Sequence, residues 1–258
     1  MSGILHKILA LPHTASASDI DDPNTTLIHR EIILSKPFLK KIYLFWYDEI
    51  TKPFKKGDKI LEIGSGGGFL KEIFPGVITS DIMQLSSCDM VVDATDMNFD
   101  AQELDGIVMV NVFHHIPDSE KFLTEARRVL KPGGKIVMVE PAYSGWSNWV
   151  YNKFHHEPFE PTMKDWKFVS SGPMSSSNQA LPYIVFDRDR QKFEEKFPDF
   201  TIKAVKYHTP LSYLLSGGVS MKSLVPSFLF STIHFVEGLI SSKHFNMFWT
   251  VVVEKNKD

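Results

Sequence analysis

Four glycines and one serine, residues 64–68 in the run LEIGSGGGFL, follow directly on a short apolar stretch that carries a single acid, Glu62. A chain without side-chain carbons at four of five consecutive positions lets something approach its backbone closely there. In an open α/β sheet, the turn after the first strand is such a place. Ligands bind beyond the carboxyl ends of the strands, where backbone N–H groups and the start of a helix point at them.

The middle of the chain agrees with such a sheet. Lys59 to Ile63, VITSD at 77–81, DMVVDA at 89–94, GIVMV at 106–110 and KIVMVE at 135–140 are β-branched runs, giving five candidate strands. They lack clean apolar/polar alternation, as expected of parallel strands covered on both faces. Between the last two, Phe122, Ala126, Val129 and Leu130 recur at helical spacing, and Pro132-Gly133-Gly134 is expected to stop the helix in a turn. Strand, helix, strand in this order is a parallel crossover. With 258 residues, 43% of them hydrophobic, the chain can bury one large core with inserts.

The glycine turn itself discriminates among ligands. A dinucleotide fingerprint needs glycine at its first, third and sixth positions; Gly64 and Gly66 fit, but Phe69 occupies the sixth. A P-loop fails because no Gly-Lys-Ser/Thr follows. Glu62 stands two residues before Gly64-x-Gly66-x-Gly68. A carboxylate at that point favours a ligand bearing an ammonium over one bearing a pyrophosphate.

At these residues the chain resembles the class I S-adenosylmethionine-dependent methyltransferases, especially the broad small-molecule group called type 11, over about Lys59 to Pro141. The resemblance implies S-adenosyl-L-methionine as cofactor, with Glu62, Gly64, Ser65, Gly66 and Gly68 in the motif that holds its methionine part. Asp81 would take the ribose hydroxyls, two donors that one carboxylate can accept. VVDATDMNF at 91–99 is similar to the adenine-contact motif, which implies Asp93 on the exocyclic amine, the Ala94 backbone on the ring and Ile82 or Met83 on its face. DGIVMVNVFHHIPD at 105–118 is similar to the fourth motif, with Asn111 nearest the methionyl group, and ARRVLKPGGKIVMVEP at 126–141 to the helix, turn and strand that follow it. The implied fold is a Rossmann-like, seven-stranded, mostly parallel sheet with helices on both faces and an antiparallel last strand. RDRQKFEEKF at 188–197 is then a helix, TIKAVKYHT the sixth strand and NMFWTVVVEK the seventh. Two departures stand out: Met97-Asn98 replaces a frequent Leu-Pro, and the link between the second and third strands is short. Taken singly, the three polar residues have plainer readings, Asp93 as a helix cap, Asp81 as a turn residue and Asn111 as either.

Methyl transfer is an in-line displacement at an already activated carbon, so an enzyme chiefly positions the acceptor and, for a hydroxyl, removes its proton. His114, just beyond the fourth strand, is the candidate general base, with an ordinary pKa near ~6.5 suited to the task. His115 is read as holding the loop.

The remaining chain divides around this core. Residues 1–52 are read as a helical cap, 53–140 as the cofactor-binding core, 141–186 as an acceptor-side insert, and 187–258 as a closing helix and strands with an apolar insert at 210–245. The insert at 141–186 carries three tryptophans, His155 and His156; the run HHEPFEP suggests a metal, but the rest of the chain offers no clear ligand set, so none is expected. The segment 210–245 is broken by Gly217-Gly218, Lys222, Pro226, His234 and Glu237, too often for a membrane span, and fits a lid, a dimer face or an interfacial helix. A formal charge of −3 gives no footprint for nucleic acid. The single cysteine, Cys88, suits a reducing compartment, and His6 and Lys7 interrupt the apolar start that precedes Ala15-Ser16-Ala17, so a cytoplasmic protein without a cleaved leader is expected. The expected function is methyl transfer to a small or lipid-linked acceptor at oxygen. A NAD-dependent Rossmann oxidoreductase and a non-catalytic protein that keeps the cofactor fold are the alternatives.

Overall fold

The computed structural model describes residues 20–155 and 157–257. The leader-like start and His156 lie outside the described residues. Two helices come first, α1 (Pro23–Ser35) and α2 (Pro37–Thr51). Each begins on proline, whose missing N–H costs nothing in a first turn. The Asp22 carboxylate caps α1 by accepting from the Asn24 N–H at 2.8 Å. Lys36, held extended by the proline that follows, separates the two helices.

The core is a seven-stranded sheet. β1 (Ile60–Glu62) runs through the glycine turn into a four-residue helix, α3 (Leu70–Ile73), and then come β2 (Val77–Asp81), β3 (Met90–Val91) and β4 (Leu104–Val110). α4 (Ser119–Val129) crosses to β5 (Leu130–Pro141), capped by the Asp118 side chain on the Lys121 N–H. α5 (Gly145–Phe154) opens the first insert behind a Ser144/Ser147 capping box. A turn at Leu181–Tyr183 and a π-type turn at Ile184–Arg188 lead into α6 (Arg190–Lys196) and β6 (Phe200–His208). α7 (Ser212–Ser216) and α8 (Phe230–Ile240) lie between β6 and β7 (Phe248–Lys255).

The strand order is β3-β2-β1-β4-β5-β7-β6, with β7 antiparallel to both neighbours and the other pairs parallel. Chain direction across the sheet reverses at β1, which lies between β2 and β4. That switch point opens a crevice at the strands' carboxyl ends. β1 is buried on both faces, as are most residues of β4 and β5, which is why these strands read as unbroken apolar runs.

Several sequence boundaries shift. The expected strand at 89–94 contributes only Met90–Val91 to the sheet. Pro132-Gly133-Gly134 does not stand outside the strands; α4 stops at Val129, and β5 starts at once, taking the Pro-Gly-Gly as an irregularity where its pairing with β4 jumps between Leu104 and Gly106. The helix behind the glycine turn has only one turn, too short to offer much of a dipole to a ligand.

No helix among the described residues is long and apolar enough to cross a membrane. α8 nonetheless shows a greasy outer face: Phe235 is 68% and Leu239 71% exposed, with Phe228 just before it at 76%. Its other side is pinned by buried Glu237, whose Oε1 accepts from the Leu211 and Ser212 N–H groups at 2.8 and 2.7 Å.

Candidate functional site

A cavity of about 640 Å³ occupies the crevice beyond β1, β2 and β4. The glycine turn forms its floor. Thr26, His29 and Ile33 of α1 and Tyr43 and Tyr47 of α2 line one side, and residues of both inserts, among them Tyr151, Glu157, Gln179 and Leu214, line the other.

The glycines answer to different neighbours. Gly66 has φ +47, a left-handed backbone that favours glycine, and a β-carbon there would meet nothing closer than 3.7 Å. Gly67 is approached by the protein itself: its β-carbon would lie 2.8 Å from the Arg30 backbone nitrogen and 3.0 Å from the Thr26 carbonyl oxygen. Thus part of the glycine run serves α1, which packs its backbone against the turn, and part serves the cavity. Arg30 completes that junction by donating to the Gly68 carbonyl oxygen and pairing with Glu72.

The residues singled out for a cofactor all line this cavity: Glu62, Gly64, Ser65, Gly66, Gly68, Asp81, Ile82, Asp93, Ala94 and Asn111. Glu62 is 3% exposed; burial pushes its carboxyl up to about 7, against the opposing bond from Ser65 Oγ at 2.6 Å. Burial also raises Asp81, whose Oδ2 accepts from the Gly66 N–H and Oδ1 from the Met83 N–H, both at 3.0 Å. Asp93 does not cap a helix. Its Oδ1 accepts from the Thr95 N–H at 2.7 Å and the Thr95 hydroxyl at 2.8 Å, forming a turn that holds Ala94 at the cavity wall. Ile82 is 49% exposed although it lines the cavity, so an apolar face is open beside Asp81. Asn111 has φ +57, a conformation Asn tolerates better than most residues, and its buried Oδ1 has no hydrogen-bond partner in the protein. Buried carbonyl oxygens are rarely left so, and this one calls for a donor from a ligand. Carboxylates and an amide oxygen gathered in one cavity suit a ligand rich in donors and positive charge.

His114 and His115 follow β4 in a short 3₁₀ turn. His114 is 2% exposed, and its ring is held at both nitrogens: Nδ1 lies 2.6 Å from Glu140 Oε2 and Nε2 3.3 Å from Glu157 Oε2. Burial alone would lower its pKa, but the charge and hydrogen bond of Glu140, reinforced by Glu157, push it up to about 9. In this arrangement the ring already carries a proton near neutrality, so it accepts one from an acceptor hydroxyl only after giving its own away. Burial, and then the charge on His114, push His115 down to about 4. Burial would raise Glu157, but the bond and charge of His114 hold it well below the usual carboxylate range. His115 does hold the loop, with Nδ1 3.2 Å from the Ser176 carbonyl oxygen, and it faces Glu157 as well.

One expectation for the acceptor-side insert changes. Trp146 and Trp149 stack on each other away from the cavity, with Trp146 Nε1 donating to the Pro210 carbonyl oxygen at 2.7 Å. Tyr151 and Phe154 of the same helix do line the cavity, and the Tyr151 hydroxyl is bonded to the Met247 carbonyl oxygen.

Residues 61–138 match the family model described as a methyltransferase domain. That stretch of the chain is similar to a methyltransferase domain. Among curated proteins, 99 aligned residues are 29% identical to a ubiquinone biosynthesis O-methyltransferase of Coxiella burnetii, covering 31% of this chain and 42% of that one. A shorter alignment of 52 residues is 38% identical to the highly reducing polyketide synthase PKS2 of Leptosphaeria maculans, covering 20% of this chain and 2% of that one. The alignments thus span less than half the length of either relative. A solved SAM-dependent methyltransferase of Thermotoga maritima, described as a possible histamine N-methyltransferase, superimposes with a TM-score of 0.53 at 14% identity, over 89% of this chain and 99% of that one. That likeness is one of fold.

The site contains one functional candidate that the sequence reading leaves unnamed. Glu140, 0% exposed, accepts from the Val112 and Phe113 N–H groups at 2.7 Å through Oε1, and from His114 through Oε2. Its signal was present as a lone acid at the end of the apolar strand KIVMVEP. A charge in such a run is buried only when it is paired.

Proposed function

We propose that the chain is an S-adenosyl-L-methionine-dependent methyltransferase acting on a hydroxyl of a small or lipid-linked hydrophobic molecule. The observation that carries this reading is the unpartnered Asn111 Oδ1 in a cavity that also holds the Glu62 and Asp81 carboxylates. The cofactor offers matching donors: an α-ammonium, two ribose hydroxyls, an exocyclic amine and a positively charged sulfur. When bound, it supplies a methyl group on a sulfonium, already activated for displacement. Glu62 would sit near the ammonium, Asp81 on the ribose, Asp93 and Ala94 at the adenine edge, Ile82 on its face and Asn111 towards the methionyl carbon chain. The acceptor would enter from the insert side, where Tyr151, Leu214 and the turn at Gly217–Met221 line the same cavity as His114, His115 and Glu157. Water exclusion and orientation by that wall supply most of the rate gain in such a displacement. His114 keeps a place beside the acceptor, as a cation pinned between two carboxylates rather than as a free base.

Oxygen as the methylated atom draws on the O-methyltransferase among the relatives. A hydrophobic acceptor draws on the apolar residues that the second insert gives the cavity, Leu214, Val219 and Met221, and separately on the exposed apolar residues of α8. The dinucleotide alternative is weakened by Phe69, buried at the position of the third glycine with its N–H given to the Tyr47 hydroxyl at 3.0 Å. Two buried carboxylates also repel a pyrophosphate. The test is incubation of the protein and labelled cofactor with an organic-solvent extract of cells, followed by mass spectrometry. Transfer of label to an extractable hydroxyl compound supports the reading, and cofactor binding with no transfer to any fraction returns it to the non-catalytic alternative.

A further inference from the structure

His114, His115 and Glu157 come from two stretches of sequence, HHIPD after β4 and HHEPFEP after α5, that meet only in the folded chain. Their side chains present His114 Nε2, His115 Nε2 and a Glu157 carboxylate oxygen within 4.8 Å of one another. The far nitrogen of each ring is already committed. His114 Nδ1–H donates to Glu140 and His115 Nδ1–H to the Ser176 carbonyl oxygen, which can only accept. These bonds turn each Nε2 towards Glu157, where His115 offers a lone pair and His114 offers one once a bound cation displaces its Nε2 proton to solvent. Two imidazole nitrogens and one carboxylate oxygen thus face one another, with 3.3 and 3.7 Å between the nitrogens and the shared oxygen. Ligands about 2.0–2.1 Å from a tetrahedral zinc stand roughly 3.3–3.4 Å apart, so little movement is needed to admit an ion. A carboxylate or carbonyl behind each histidine is the outer support that metal-bound imidazoles generally have.

The surroundings add a second observation. Gln179, 3% exposed, donates through Nε2 to the same Glu157 oxygen at 3.1 Å, and its buried Oε1 has no partner. Ser177 Oγ lies 3.3 Å from that oxygen as well, so the carboxylate is held in position from behind. All three ligand residues line the cavity, leaving the remaining coordination positions directed at bound molecules. Two imidazoles and one carboxylate suit zinc, cobalt, iron or nickel better than magnesium or calcium.

We propose that His114, His115 and Glu157 form a three-ligand site for a first-row divalent cation of the zinc type at the acceptor end of the cavity. Three protein ligands with an open position are the pattern of reactive rather than purely structural sites. The ion's role rests on the methyl-transfer reading, whereas its binding does not. Coordinated there, an acceptor hydroxyl loses its proton to solvent at a lower pH. The resulting oxygen forms its bond to the methyl carbon as the carbon–sulfur bond breaks, and the sulfonium becomes a neutral thioether.

The experiment is a cobalt(II) titration of chelator-treated, untagged protein, read by visible absorption, with zinc as competitor and cofactor affinity measured in parallel. One equivalent of cobalt should give the intense bands of a low-coordinate ion, and zinc should abolish them. His115→Ala and Glu157→Gln should each weaken cobalt binding by at least about 100-fold, the upper end of what loss of an outer supporting residue costs. His115→Asn serves if the alanine variant fails to fold, as judged by circular dichroism. Wild-type protein that binds cofactor but gives no saturable cobalt spectrum, or variants that titrate like wild type, would overturn the site. Protein that gives the cobalt spectrum but does not bind the cofactor keeps the site and removes the methyl-transfer reading.

Discussion

Asp81 accepts a hydrogen bond from the Gly66 backbone N–H at 3.0 Å, so the acid that ends β2 also shapes the turn that follows β1. An ionised Asp81 that in addition accepts a ribose hydroxyl adds a charge-assisted bond, worth about 1.5–3 kcal/mol. Asp81→Asn keeps the size and removes the charge. Cofactor affinity measured by calorimetry should fall by at least about tenfold, and unchanged affinity in a folded variant would take Asp81 out of the site.

Glu62 gives a pH test with a defined sign. Its folded pKa, about 7, lies above the ordinary 4.5, so between those values the folded state holds more protons than the unfolded one. Stability contributed by this group is therefore full below about pH 4.5 and falls as pH rises towards 7 and beyond. The shift corresponds to a loss on the order of 3 kcal/mol at most. Glu62→Gln should flatten that part of the stability profile in urea melts. A cofactor ammonium favours the ionised form, so binding near neutrality should release protons, seen as a dependence of the calorimetric heat on buffer ionisation; the glutamine variant should lack it.

Gly67→Ala tests the junction between the turn and α1. The new carbon would lie within 3.0 Å of two backbone atoms that cannot rotate away, and overpacking of this kind costs about 1–3 kcal/mol. For a chain of this size, that is a Tm lowered by roughly 3–10 °C. Gly145→Ala, where nothing lies within 4 Å, should stay within about 2 °C of wild type by scanning calorimetry.

The contrast between these glycines shows where the sequence was legible. The five core strands, the crossover at α4 and the carboxylates at the strand ends could be read from the residues, because burial on both faces and a turn without side chains leave local marks. The assignment of Gly67 could not. Its neighbour is α1, whose approach is a tertiary fact that no spacing in LEIGSGGGFL encodes. The same holds for the Glu140, His114 and Glu157 chain: each half of the histidine-rich pattern was visible, but their meeting depends on how the insert after α5 folds back over β4. The two-residue β3, and the strand that begins at Leu130 and takes in Pro132-Gly133-Gly134, differ from the sequence reading because sheet pairing overrides local turn preference.

Glu140 should divide two kinds of loss. Glu140→Ala strips the Val112 and Phe113 N–H groups of their acceptor and leaves His114 facing a void; breaking a buried pair in this way costs about 3–5 kcal/mol. Glu140→Gln keeps an oxygen for the two N–H groups and should cost less than half as much in the same denaturant titration. Equal losses for the two variants would mean that the carboxylate's charge, and not its hydrogen bonds, holds the turn.

The most direct test of the account is calorimetric titration of the full chain with S-adenosyl-L-methionine, and separately with NAD. One equivalent of S-adenosyl-L-methionine should bind with micromolar or tighter affinity, weakened at least about tenfold by Asp81→Asn, while NAD gives no saturable heat. Saturable NAD binding with none for S-adenosyl-L-methionine would contradict the account at its centre.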